Sequence, residues 1–274
     1  MYVDGEYKST GGFEYIGNEL VRYTNPVPWG GIDGSFEHID FLTGTNRIGE
    51  MAFAQSNLTG IDFPETVKSI GKGAFKNCDN LKDIILPEGL EVIENSAFEN
   101  CTGLEKIILP STIKEIGDSA FENCKNLRDI NLPESLVKIG ARAFAYTALE
   151  NVVMPEKLDE LGMAAFMECK DLKTIKLSVV RKLPERLLAG CGALIHVRIP
   201  EGVEILGSHL FHDCGTLTIT GSVVLPSTIK NMTFAFSTND IDTFTLYATP
   251  GTYAYEEASQ YGCYLYDSAV LSEE

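Results

Sequence analysis

The residues of this 274-residue chain whose types and spacing could support chemistry fall into three groups. His209, His212 and Cys214 form H-x-x-H-x-C, which offers the nitrogen and sulfur ligands that a zinc ion takes. The histidines flank apolar Leu210 and Phe211, however, and Cys214 falls in a column of recurring cysteines, so surface histidines on a short turn explain the pattern better. Asp40 and Asp62 occupy one column of neighbouring repeats, near enough to share a hard cation such as calcium. Calcium wants about six oxygens or more, and only Asp83 lies near enough to add another. No glycine-rich phosphate loop follows a strand pattern, and neither H-E-x-x-H nor G-x-S-x-G occurs. The chain is therefore expected to be no enzyme and to hold neither metal nor cofactor.

The third group is the cysteines. Seven is an odd count without paired spacing, which argues against a disulfide framework. Cys78, Cys101, Cys124, Cys169, Cys191 and Cys214 each stand three residues before a leucine: Leu81, Leu104, Leu127, Leu172, Leu194 and Leu217. A column at a fixed period marks one structural slot per turn, where a small buried thiol packs well.

Charge narrows the classes of partner. Against 22 basic side chains stand 39 acidic ones, giving a net charge of −17, a field that repels nucleic acid and anionic membrane surfaces. No stretch approaches the ~20 apolar residues that cross a bilayer. Residues 1–12 lack the basic start and apolar centre of a signal peptide. Neither nucleic-acid binding nor membrane insertion is expected.

The elements that must position these residues come from an internal repeat. Ten segments of the form L-x-x-I-x-L start at Phe36, Leu58, Leu81, Leu104, Leu127, Leu149, Leu172, Leu194, Leu217 and Ile241, spaced by 22 to 24 residues. Each is predicted to be a strand whose last two apolar residues, two apart, share the inward face. A proline follows most of them (Pro64, Pro87, Pro110, Pro133, Pro155, Pro200) and, lacking an amide donor, ends the ladder. V/I-x-x-I-G comes next, its glycine (Gly49, Gly71, Gly117, Gly140, Gly162, Gly207) suited to a turn with positive φ. A-F-x-x-C then fits a short helical turn with phenylalanine and cysteine on one side. No such turn can bury its apolar face alone, so the turns must stack on one another.

Taken together, L-x-x-I-x-L-P followed by V-x-x-I-G-x-x-A-F-x-x-C resembles the BspA-like class of leucine-rich repeats over residues 36–246. The resemblance implies an α/β repeat solenoid: a right-handed coil with one parallel β-sheet on the concave face and short strands or helical turns on the convex face. It further implies a bacterial, often surface-associated or secreted protein used in adhesion, without catalytic activity. Residues 1–35 are expected to form an N-terminal β-hairpin cap turning at Gly17-Asn18. Residues 247–274 are expected to close the other end with a helix from Tyr253 to Tyr261 and a strand from Cys263 to Tyr266. Residues 246–254 are similar to the terminal module such proteins often carry. Three departures stand out: Ser178 replaces the proline, Leu188 replaces the phenylalanine, and residues 217–225 carry about three extra residues, which make either a structural bulge or a contact loop.

In each L-x-x-I-x-L the third and fifth residues point outward. After His38/Asp40 and Gly60/Asp62 they are Asp83/Ile85, Lys106/Ile108, Asp129/Asn131, Asn151/Val153, Thr174/Lys176 and His196/Arg198. The face runs from acidic, through exposed apolar Ile85, Ile108 and Val153, to basic Lys176 and Arg198. An apolar strip flanked by opposite charges suits a protein partner, either a host protein or another copy, since apolar groups supply affinity and charges fix orientation. The plainer reading is that β-branched residues suit strands and that the charges keep the face soluble. The alternative function is an intracellular scaffold or structural spacer without a dedicated ligand, which the unpaired cysteines and the absence of a signal peptide favour.

Overall fold

The computed structural model describes residues 7–10, 13–16, 19–23, 41, 44–214, 222–232, 234–236, 245–260 and 264–271. Because the chain returns to the same place once per repeat, like residues of successive turns meet, and their backbones pair parallel and in register. The leucine-started segments make the first ladder. Its strands are Asp83–Ile85, Lys106–Ile108, Asn151–Val153, Thr174–Lys176, His196–Arg198, Ser222–Val224, Thr245–Ala248 and Tyr264–Asp267. Asp129 joins as an isolated bridge to Lys106. The central residues Ile84, Ile107, Val152, Ile175, Val197 and Val223 are all buried, and their neighbours on either side face out. The strand expected from Leu58 does not form, and the one expected from Phe36 lies outside the described residues. The extra residues near Leu217 do not interrupt the ladder. His196 pairs with Ser222 and Arg198 with Val224, so the parallel register is kept across this turn.

V/I-x-x-I-G builds a second parallel ladder. Arg47–Ile48, Ser69–Ile70, Val92–Ile93, Glu115–Ile116, Lys138–Ile139 and Glu160–Leu161 follow one another, and Lys182–Leu183 then pairs separately with Ile205–Leu206. The break has a covalent cause. Gly140 and Gly162 each donate their amide to the preceding turn, to Ile116 and Ile139, at 2.8 Å. Pro184 occupies this slot in the next turn and has no amide to donate.

The recurring glycine is not there for positive φ. Gly71, Gly117, Gly140, Gly162 and Gly207 all lie outside the left-handed region. They are needed because the preceding turn passes too close: a Cβ on Gly162 would stand 2.2 Å from the Ala141 nitrogen, and one on Gly207 2.4 Å from the Glu185 nitrogen.

Positive φ falls in the A-F segment instead, and prevents the helical turn predicted there. The residue before each Ala-Phe pair and the second residue after it are left-handed, as at Ser96 (φ 57°) and Asn100 (φ 61°), or Ser119 (φ 54°) and Asn123 (φ 62°). The alternation sends every second amide to the next turn. Ser96, Phe98 and Asn100 donate to Asp118, Ala120 and Glu122 at 2.7 to 2.8 Å, while Ala97, Glu99 and Cys101 bond within their own turn. This third set of inter-turn bonds brings the phenylalanines into a stack: Phe53, Phe75, Phe98, Phe121, Phe144 and Phe166 lie 5.1 to 5.4 Å apart, with planes within 14°. The stack lapses at Leu188 and resumes at Phe211 and Phe236, 5.5 Å apart. Ser178, in the proline slot, is buried and donates its hydroxyl to the Pro155 carbonyl.

Both ends extend a ladder. Phe13–Ile16 and Glu19–Tyr23 are antiparallel, as predicted, although the Gly17-Asn18 turn lies outside the described residues. A further strand, Tyr7–Thr10, adds to this hairpin, and Glu19 and Leu20 pair parallel with Arg47 and Ile48, joining it to the second ladder. At the other end Tyr264–Asp267 extends the first ladder from Thr245–Ala248. Between them lies the one α-helix among the described residues, Tyr253–Ala258, whose Ala254 and Ala258 are buried. Thr252 caps it, accepting from the Tyr255 amide at 3.3 Å. The helix stops short of Tyr261, and Cys263 lies outside the described residues.

Candidate partner-binding face

The first ladder sets its outward residues in two columns. Register puts Asp83, Lys106 and Asp129 in line, then Asn151, Thr174, His196, Ser222, Thr245 and Tyr264. The other column holds Ile85 and Ile108, then Val153 and Lys176, Arg198, Val224, Tyr247 and Tyr266, with Asn131 outward in the intervening turn. All twelve residues from Asp83 to Arg198 nominated from the sequence are exposed, including Asn131, where strand pairing lapses. Three aliphatic side chains stand open to solvent: Ile85 is 67% exposed, Ile108 44% and Val153 59%. The face begins at Asp83, since Gly60 and Asp62 belong to no strand and His38 and Asp40 lie outside the described residues.

Few of these side chains are consumed by their neighbours. Thr174 donates its hydroxyl to the Asn151 side chain at 2.6 Å, and His196 Nδ1 lies 2.9 Å from the Ser222 hydroxyl. Lys176 reaches the Glu156 carboxylate only at 4.0 Å. Charges in the flanking positions are more firmly engaged. Lys173 donates to Glu150 at 2.6 Å, and that hydrogen bond holds the Glu150 carboxyl below the usual range.

Sequence reasoning stopped at Arg198 and so missed the far end of the face, where Val224, Tyr247, Tyr264 and Tyr266 continue the outward columns. Tyr264 is 64% exposed, and the rings of Tyr247 and Tyr266 stack 5.6 Å apart at 27°. The apolar alternation through Leu246, Ala248 and Leu265 was the available signal.

The cysteine column faces away from this surface. Cys78, Cys101, Cys124, Cys169, Cys191 and Cys214 are free and buried, and each thiol donates to a backbone carbonyl of the preceding turn at 3.1 to 3.2 Å. Ser56 and Thr147 fill the same slot in turns without cysteine, each touching the next thiol at 3.2 Å. Burial raises the Cys169 thiol to about 11 and pushes up Cys101, Cys124 and Cys191 as well. Cys214 points its sulfur to the Leu188 carbonyl, so it does not converge with His209 and His212, whose rings meet edge to face at 5.8 Å. Among the described residues no group of three or more metal-ligating side chains occurs. No described helix is long and apolar enough to cross a membrane.

Comparison with known proteins bears on this architecture. The family model for the BspA type leucine rich repeat region matches with six copies, over residues 46–173, 93–218 and 137–261. No match is found among curated proteins. Among solved structures, a leucine-rich repeat protein from Bacteroides ovatus is 21% identical with a TM-score of 0.53, the match covering 92% of this chain and 66% of that one. A leucine-rich repeat protein from Eubacterium ventriosum is 24% identical with a TM-score of 0.50, covering 71% of this chain and 68% of that one. The chain thus spans just under two-thirds of the Bacteroides ovatus protein, and both likenesses concern the fold.

Proposed function

Since the chain belongs to the BspA-type leucine-rich repeat family, we propose that it is a non-enzymatic module that binds a protein partner through the outward face of the first ladder. The observation that carries this reading is the exposure of Ile85, Ile108 and Val153 on a parallel ladder whose backbone is held in register. Each aliphatic side chain of this size gains about 1.5 to 3 kcal/mol when fully withdrawn from water. Leaving three of them open on a pre-ordered sheet forgoes that gain until a partner arrives. The ladder also needs little reordering on binding, which removes one cost of association. Strand propensity explains β-branched residues in general, but it does not choose between inward and outward positions. The N-terminal hairpin and the C-terminal helix and strand serve in this reading as caps, covering the terminal turns whose apolar interior would otherwise face water. Adhesion at a bacterial surface, to a host protein or to another copy, belongs to the same proposal and follows the family resemblance.

The test is the triple variant Ile85→Ser, Ile108→Ser, Val153→Ser. It should melt within a few degrees of the parent, because none of the three side chains contributes to the core. Affinity capture from host-tissue extract and from lysate of the source cells, read by mass spectrometry, should lose the partners held by the parent. If the variant captures the same partners in the same amounts, the face is not the binding surface.

A further inference from the structure

We propose that the half of this face from Thr174 to Tyr266 docks an acidic segment of the partner, with Lys176, His196 and Arg198 receiving its carboxylates. The proposal rests on the reading that the ladder face binds protein, and it adds the chemistry of what is bound. The outward columns from Thr174 to Tyr266 hold two permanent cations and no carboxylate, although the chain carries −17 overall. Asp83 and Asp129 lie on the opposite half.

Of the nearest acids, Glu201 and Asp267 are engaged by hydrogen bonds, and Glu156 pairs only loosely with Lys176. Glu156 stands 4.0 Å from Lys176. Glu201, which shares a hollow with Arg198, accepts from the amide and hydroxyl of Ser227 at 2.9 and 3.1 Å. Asp267 accepts from the Ala269 amide at 2.9 Å. Arg198 makes no ion pair among the described residues. A guanidinium left in this state is weakly hydrated and presents a planar fork that matches a carboxylate.

The tyrosines extend the same preference. The Tyr247 and Tyr266 stack covers one face of each ring and leaves Tyr266 49% exposed. Ring edges carry the positive end of the quadrupole, so a carboxylate can approach them edge-on. Beside Arg198 and Val224 lies a hollow of about 190 Å³, large enough for one side chain, reaching Thr249 and Ser268, whose hydroxyls bond to each other at 2.8 Å.

The global charge supplies an internal control, because a molecule at −17 repels acidic peptides unless a local site overrides the field. The probe is a fluorescein-labelled octapeptide of alternating glutamate and leucine, with its glutamine counterpart as reference, titrated against the full chain by anisotropy. The glutamate peptide should bind at least about tenfold tighter than the glutamine one. Arg198→Glu should abolish the difference, whereas Lys125→Glu, the same charge change at an exposed position ahead of Leu127, should preserve it. A thermal melt confirms that each variant is folded. Failure of the parent to prefer the glutamate peptide, or equal weakening by the two variants, overturns the proposal. If partner capture is lost in the serine variant while the parent shows no glutamate preference, the acidic segment is wrong and the binding face stands. If Arg198→Glu alone abolishes the preference and the serine variant captures normally, the acidic site stands and the aliphatic strip does not.

Discussion

The thiol of Cys101 donates to the backbone carbonyl of Phe75, one turn earlier, at 3.1 Å. That carbonyl already accepts the Cys78 amide at 3.2 Å from its own turn, so the thiol takes its second lone pair and ties two turns together. The same bond recurs between Cys124 and Phe98, and between Cys191 and Phe166. Cysteine suits the slot because it is small, apolar enough for the core and still a donor.

Cys101→Ser should therefore be close to neutral, as Ser56 and Thr147 already serve in the column. Cys101→Ala should cost about 1 to 2 kcal/mol, from the lost hydrogen bond and the small cavity left behind. Urea denaturation of the two variants beside the parent checks the order. Alanine proving as stable as serine would mean that the thiol only fills space.

The thiols also make stability depend on alkaline pH. Cys101, Cys124, Cys169 and Cys191 have folded pKa values raised by burial, so the folded chain keeps protons that the unfolded chain releases. Their contribution is whole below the unfolded thiol value of about 8.5 and is lost as pH climbs towards the folded values. For Cys169 the loss runs up to about 11. Each thiol adds about 1.4 kcal/mol of lost stability per pH unit within its window. Urea midpoints should hold steady to pH 8 and fall beyond pH 9, less steeply in Cys169→Ser. A flat profile to pH 10 would contradict the burial argument.

Gly162→Ala places a Cβ 2.2 Å from the Ala141 backbone nitrogen, where no side-chain movement can relieve it. We expect a loss of about 2 to 3 kcal/mol. Gly60→Ala is the control, since a Cβ there meets nothing within 4 Å, and it should change stability by less than about 0.5 kcal/mol. Thermal melts of both variants decide the matter.

Arg186 is left-handed at φ 55° with its side chain exposed, and its ion pair to neighbouring Glu185 is long at 3.6 Å. A left-handed residue with a Cβ costs about 1 to 2 kcal/mol, and an exposed pair returns little of that. Arg186→Gly should raise stability by about 0.5 kcal/mol once the greater freedom of glycine in the unfolded chain is set against the relief. A lower melting temperature would show that the side chain matters more than the backbone.

The parts of this fold legible in the sequence are those repeated often enough to average out local exceptions. Leucine-started strands, the stacked phenylalanine slot and the cysteine column each recur at one period, and burial of Ile84, Ile107, Val152 and Phe98 follows from that period alone. The outward positions from Asp83 to Arg198 were legible for the same reason, because side chains alternate along a strand. Less legible was anything set by the neighbouring turn. Gly162 read as a turn residue by its type, whereas its reason is the approach of Ala141. Asn100 is of a type that tolerates left-handed backbone, but Ser96 carries no such mark, and its conformation is imposed by amides reaching for the next turn.

The sequence by itself determined the period, the class of coil and which residue of each turn is inward, since these depend only on composition repeated along one chain. Tertiary structure decided how the turns lie against each other. Register carried the exposed columns past Arg198 to Tyr247 and Tyr266, and the missing amide of Pro184 ended the long second sheet at Glu160–Leu161. Both outcomes arise from bonds between residues about one repeat apart, and a hydrogen bond of that kind exists only once two turns have been brought to within its reach.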